Sequence, residues 1–147
     1  MTQGEVVVWV DGGARGNPGP AGFGVVVTTP GGEVLAQQAE GIGWATNNVA
    51  EYRGVIAGLE RARALGARRV RVRADSLLAV QQLKGAWKVR NAALQPLWAE
   101  AGRLARAFER VTFEHVPRER NRRADALANR AMDAQGPVAG PVQGTLG

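Results

Sequence analysis

Residues 6–27 read VVVWVDGGARGNPGPAGFGVVV, and the fold turns on how this stretch is understood. An apolar run ends in Asp11, breaks into glycine and proline, and resumes as a second apolar run. Valines at 6, 7, 8 and 10 with Trp9 have the β-branched, aromatic character of a buried strand. A dinucleotide fingerprint would lead its glycines into a helix, and a Walker loop would end in Gly-Lys-Ser/Thr. Here the glycines lead into "GFGVVVTT", a second strand, so the run is a hairpin connection. Gly12 and Gly13 then let something approach the backbone closely beside Asp11.

Working outward, "TPGGE" is a further turn and "EVLAQQAEGIG" a third strand, giving an antiparallel meander. From Val49 the period changes. Tyr52, Val55, Ile56, Leu59 and Ala62 recur at helical spacing, and Gly66 stops the helix. "RRVRVRAD" alternates strictly, which makes a strand that again ends in an aspartate, Asp75. "SLLAVQQLKG" is a short helix, and "LQPLWAEAGRLARAF" a longer one with Pro96 near its start. "RVTFEHV" is the fifth strand and "RRADALANRAM" the closing helix. The order β-β-β-α-β-α-α-β-α predicts an α/β fold. Its five-stranded mixed sheet has three antiparallel strands, then parallel ones, with helices packed on it. One domain over residues 1–134 is expected, with 135–147 a flexible tail.

The 147 residues include no cysteine, which excludes disulfides, thiol catalysis and thiolate metal sites. The N-terminus lacks a signal-peptide pattern and no apolar run is long enough to span a bilayer, so a cytoplasmic protein without a membrane partner is expected. The net charge of +6, carried almost wholly by arginine, points towards a polyanionic partner such as nucleic acid, with a solvated arginine-rich surface as the alternative.

Asp11 and Asp75 close two strands. If those strands are parallel neighbours, their carboxylates meet at the sheet edge where open α/β sheets bind ligands. Such a pair raises its own pKa values unless a cation lies between, and Mg²⁺ favours oxygen ligands of this kind. Glu51, in the first turn of the first helix and about 70° from the centre of its apolar face, can reach the same edge. Its structural alternative is a capping box with Asn48. Asp125 opens the last helix, where the helix dipole or the nearby arginines would also favour an acid.

On these residues the chain resembles type 1 ribonuclease H from about Val6 to Met132. "DGGARGNPGPAGFG", "TNNVAEYRGVIAGLE", "RADS" and "NRRADALA" follow the family's motifs in order and spacing. The resemblance implies that Asp11, Glu51, Asp75 and Asp125 are catalytic acids binding two Mg²⁺ ions, with Mn²⁺ as a substitute. It implies internal cleavage of the RNA strand of an RNA–DNA hybrid, leaving 5′-phosphate and 3′-hydroxyl ends. Backbone groups of Gly12, Gly13 and Ala14, with the side chains of Asn48 and Asn17, are the implied readers of the 2′-hydroxyl. Thr46 and Asn47 are implied to anchor the DNA strand's phosphates. Turn and cap chemistry is the alternative for these residues.

Two features depart from the family. The loop "VPRERNRRAD" has no histidine, and Arg118 is the expected stand-in as a phosphate-contacting cation, with Glu119 second. The single histidine, His115, lies before the loop and reads as structural. The basic protrusion shrinks to "KGAWKVRNAA", in which Lys84, Trp87, Lys88 and Arg90 form a small grip and Trp87 either stacks on nucleic acid or anchors the core. Leu77 stands where relatives often place a glutamine. A shorter grip leaves double-stranded RNA as an alternative partner. A monomer is expected. Three other readings compete: a binding module that has lost the chemistry, another nuclease or strand transferase on the same fold, and a generic basic domain. All four acids are present, which counts against the first, and "GNPGPAGFG" with "TNN" counts against the second. The last leaves two strand-terminal aspartates unexplained.

Overall fold

The computed structural model describes residues 4–135. The strands are β1 (Glu5–Ala14), β2 (Gly19–Thr28), β3 (Val34–Ala45), β4 (Arg69–Ala74) and β5 (Arg110–His115). The helices are α1 (Asn47–Ala64), α2 (Leu77–Leu83), α3 (Gln95–Ala105) and α4 (Arg122–Ala134), with one 3₁₀ turn at Arg118–Arg120. This is the expected order. The sheet runs β3-β2-β1-β4-β5. β1 pairs antiparallel with β2 and parallel with β4, β2 pairs antiparallel with β3, and β4 pairs parallel with β5.

Alternation assigns each strand's residues to one of two faces. Val6, Val8 and Val10 of β1, Val25 and Val27 of β2, and Val70 and Val72 of β4 pack with Val55 and Leu59 of α1 and Leu104 of α3. Each such side chain, fully buried, contributes about 1.5–3 kcal/mol. α4 covers the opposite face. It lies so close to β2 that a Cβ on Gly24 would stand 2.4 Å from the Ala124 carbonyl oxygen. That approach brings the first turn of α4 down beside Asp11, whose cross-strand partner is Gly24.

Several expectations shift. β1 continues past Asp11 to Ala14 because its hairpin with β2 extends to Ala14↔Ala21. Its parallel ladder with β4, however, stops at Val10↔Ala74, so Asp11 still ends the parallel pairing. The cap of α1 is Thr46, whose hydroxyl accepts from the Val49 N–H at 3.2 Å. The Asn48–Glu51 capping box therefore does not form, and Glu51 stands in the second turn of α1 instead of the first. Gln135, placed by the sequence in the tail, docks on the sheet. Its amide donates to the Ala21 carbonyl at 2.6 Å and accepts from the Gly43 N–H at 3.0 Å. The remainder of that tail, 136–147, lies outside the described residues. Among the described residues no helix is long and apolar enough to cross a membrane.

Candidate active site

Three elements converge where the β1–β4 ladder ends. Asp11 leaves the ladder on β1, Asp75 follows the last residue of β4, and Glu51 reaches across from α1. Each of the three offers a carboxylate oxygen, and these oxygens lie within 4.8 Å of one another. Asp125, in the first turn of α4, stands outside that trio but close enough to Asp11 to raise the pKa of its carboxyl. The four acids drawn from the sequence thus face one cleft of about 580 Å³.

The electrostatics are those of an uncompensated acid cluster. Burial, then the neighbouring carboxyl of Asp125 and the charge of Asp75, push the Asp11 carboxyl up to about 8. Glu51, only 3% exposed, is held well above the usual carboxylate range by burial and by the charges of Asp11 and Asp75. One Glu51 oxygen, Oε2, accepts from the Gly12 N–H at 3.1 Å; the other, Oε1, is buried without a hydrogen-bond partner. A buried orphan oxygen costs about 1–3 kcal/mol. An all-oxygen set with such an orphan fits a hard divalent cation, which would satisfy Oε1 and offset the mutual repulsion.

Gly12 has a different reason from the one its turn-like setting suggests. A Cβ there would lie 2.5 Å from both Ala50 C and Glu51 N, so the space beside Asp11 is filled by the backbone of α1. The glycine brings Glu51 to the cluster, whereas close approach of an outside chain was expected. The hairpin is also tied to the helix start. Asn47 Oδ1 accepts from the Ala14 N–H at 2.8 Å, and Asn17 Oδ1 accepts from the Asn47 N–H at 2.9 Å. The N–H groups of Gly12 and Ala14 are therefore already committed within the protein. Gly13, Asn47 and Asn48 line the cleft. Asn17 and Thr46 support its wall from behind, as turn and cap chemistry would have them.

Arg118 lies on the rim, its Nη2 3.5 Å from Asp125 Oδ1. His115 is a correction. It ends β5 beside Ala74, is exposed, and lines the cleft with the acids, because the parallel register carries β5 to the same edge as β4. Trp87 is brought elsewhere. It is 44% exposed and shares a shallow surface with Lys88 and Trp98, itself 43% exposed, which removes the core-anchor reading. Sequence reasoning missed Trp98, whose position in a helical pattern hid its exposure. It also missed Asn121, 1% exposed, whose amide donates to the Val10 carbonyl at 2.8 Å.

A family model described as reverse transcriptase-like matches residues 9–131. The chain is 55% identical over 131 residues to the bifunctional protein Rv2228c of Mycobacterium tuberculosis, covering 88% of this chain and 36% of that protein. The chain thus spans about a third of the length of this relative. It covers 94% of the solved N-terminal ribonuclease H domain of Rv2228c, with a TM-score of 0.87. The ribonuclease H1 structure from Halobacterium salinarum is 44% identical with a TM-score of 0.86, covering 89% of this chain and 99% of that one. LC11 ribonuclease H1, solved in complex with an RNA/DNA hybrid, is 41% identical with a TM-score of 0.85, covering 88% of this chain and 98% of that one. Matched along nearly all of its described length, in sequence and in the order of its sheet, the chain belongs to the ribonuclease H family.

Proposed function

We propose that this domain hydrolyses the RNA strand of RNA–DNA hybrids internally, leaving 5′-phosphate and 3′-hydroxyl ends. The observation that carries the reading is the convergence of Asp11, Glu51 and Asp75 within 4.8 Å at the end of the parallel ladder, with Asp125 against Asp11. The LC11 relative, solved with a hybrid, supports the choice of substrate. Two Mg²⁺ ions, or Mn²⁺ in their place, would supply a water of lowered pKa and charge stabilisation at the leaving 3′ oxygen.

The chain's own groups do the rest. Asp11, Glu51, Asp75 and Asp125 would hold the metals, and Asp11 and Glu51, whose carboxyls are held above the usual range, would have to shed their protons to do so. The Gly12 N–H fixes the Glu51 carboxylate from below. Arg118 presents its guanidinium at the cleft rim for a phosphate. Gly13 and Asn48 face the cleft where a 2′-hydroxyl can be read, while the Asn17–Asn47–Ala14 chain of hydrogen bonds keeps that wall rigid. Thr46 and Asn47 hold the start of α1 in place, and the positive end of that helix suits a phosphate of the DNA strand. Trp87 with Lys88 forms the short grip, and this grip leaves double-stranded RNA as a weaker partner. The domain acts as a cytoplasmic monomer in this reading.

The test is a 5′-labelled RNA strand, alone or paired with DNA or RNA, incubated with Mg²⁺, Mn²⁺ or EDTA beside an Asp75→Asn variant. Internal cutting of the hybrid's RNA strand, lost in EDTA and in the variant, is expected. Binding without cleavage in either metal would replace the nuclease reading with that of a binding module.

A further inference from the structure

The face of the sheet that carries α4 is covered only in part. Beyond the start of α4, Val7, Trp9, Val26 and Thr28 are left as the floor of a second cavity of about 530 Å³. No residue lines both this cavity and the acid cleft; the segment 117–121 separates them. One wall is the β2–β3 turn at Pro30 and Gly32, and the other is the start of α4.

The chemistry of the cavity is divided. Its floor is apolar and aromatic: Val7 and Val26 are buried, and the Trp9 ring carries the Arg73 guanidinium 4.9 Å from its centroid. Trp9 is fixed in place, its Nε1 donating to Thr28 Oγ1 at 3.4 Å. Such a surface suits a flat conjugated ring. The rim is cationic. Arg120, Arg122 and Arg123 are exposed, and among the described residues none pairs with an acid. Arg73 also lines the cavity, but its guanidinium is paired with Glu114 at 2.9 Å, so the free positive charge comes from these three arginines against one acid, Glu119. α4 also begins without a side-chain cap bond, so N–H groups of its first turn add to the same positive end.

We propose that this cavity is a second binding site, distinct from the catalytic cleft, for a mononucleotide. The base lies over Val7, Trp9 and Val26, and the phosphate sits between Arg120, Arg122 and Arg123. The cavity falls within the range of about 300–1,000 Å³ usual for small-ligand sites. The charge asymmetry selects a ligand with a planar ring at one end and an anion at the other, which excludes lipid chains and neutral aromatics.

The experiment is a titration of ¹⁵N-labelled protein with AMP in EDTA, followed by nuclear magnetic resonance. Saturable shifts are expected in the Trp9 indole N–H and in the amides of residues 120–124, with Trp87 and Trp98 unmoved. Adenosine and inorganic phosphate, each lacking one half of the ligand, should bind about ten-fold more weakly. An Arg120→Glu/Arg123→Glu variant, changed only at exposed positions, should lose a similar factor. Excess hybrid added to the Asp75→Asn protein should leave AMP bound. The proposal is overturned if AMP shifts nothing at millimolar concentration, if shifts fall on the acid cleft, or if hybrid displaces the nucleotide. It is equally overturned if short oligoadenylate binds while AMP does not, since the groove then belongs to a strand. Hybrid cleavage is assayed separately, so neither failure is mistaken for the other.

Discussion

The Asn121 side-chain amide donates to the carbonyl of Val10 at 2.8 Å, and the Asn121 main-chain carbonyl accepts from the Asp125 N–H at 3.0 Å. One buried residue thus ties the residue before Asp11 to the turn that carries Asp125. Asn121→Ala leaves the Val10 carbonyl buried without that donor, at a cost of about 1–3 kcal/mol. Because the residue sets the spacing of two acids without facing the substrate, kcat should fall while the KM for hybrid changes little. Chemical denaturation and steady-state kinetics check the two parts. A KM effect alone would contradict this positioning role.

Gly12→Ala should be among the most damaging single-methyl changes in the protein. The added carbon meets Ala50 C and Glu51 N at 2.5 Å, backbone atoms that cannot rotate away. Separating β1 from α1 also draws Glu51 off the cluster. A loss of about 2 kcal/mol or more in stability is expected, together with weaker Mn²⁺ binding. Calorimetry with and without metal separates the effects. Stability near wild type would show that α1 can shift freely.

These two residues mark where the sequence is legible and where it is not. Asp11, Asp75 and Asp125 could be found because each closes a strand or opens a helix, and such ends follow from periodicity; Glu51 was found from its place beside the apolar face of α1. The mixed sheet followed from the meander and the helical crossovers, while the parallel pairing of β1 with β4 was only a condition of the reading. Asn121 was hidden because its partner is a main-chain carbonyl 111 positions away, which no local pattern encodes. Gly12 looked like a turn residue because a close helix and an open turn demand the same missing Cβ. His115 read as an interior strand residue because alternation gives a side chain's face and says nothing of where the neighbouring strand stops.

Metal-free stability should fall as pH rises. The Asp11 pKa in the folded protein, about 8, lies above its ordinary value of 3.8, and Glu51 shifts in the same direction. The folded state therefore binds more protons than the unfolded one between these values. That contribution is fully present below about pH 4 and is lost as pH passes 8. Asp11→Asn removes the burden, so in EDTA at pH 9 the variant should melt a few degrees higher, about 1 kcal/mol. Added Mg²⁺ should stabilise the wild type and leave the variant nearly unchanged. A variant less stable than wild type at pH 9 would sink the argument.

The same proton competes with metal. Below pH 8 Asp11 is largely protonated, so binding must release its proton. Apparent Mn²⁺ affinity should rise at least about ten-fold per pH unit from 6 towards 8, more steeply where Glu51 also gives up a proton. Calorimetry in buffers of different ionisation enthalpy reports the proton count directly. A flat profile would mean that the carboxylates are ionised before the metal arrives.

Trp87 and Trp98 are both exposed on one surface, yet they should respond differently. The Trp98 indole N–H donates to the Gln82 carbonyl at 3.0 Å, and Gln82 in turn accepts from the buried Tyr52 hydroxyl at 2.7 Å. Trp98→Ala therefore loosens the packing of α2 on α3 and should cost stability, about 1–2 kcal/mol, before it affects substrate. Trp87 shares its surface with Lys88 and is bound through its main chain, its N–H donating to the Gln81 carbonyl at 3.2 Å. Its ring is available for stacking, worth about 1–3 kcal/mol per base. Trp87→Ala should raise the KM for hybrid about ten-fold with kcat and melting temperature nearly unchanged. The effect should persist at higher salt, because stacking is not screened, whereas loss of Lys88 should matter mainly at low salt. A Trp87→Ala protein with unaltered KM would remove this residue from the substrate grip and leave the lysines and Arg90 as its whole.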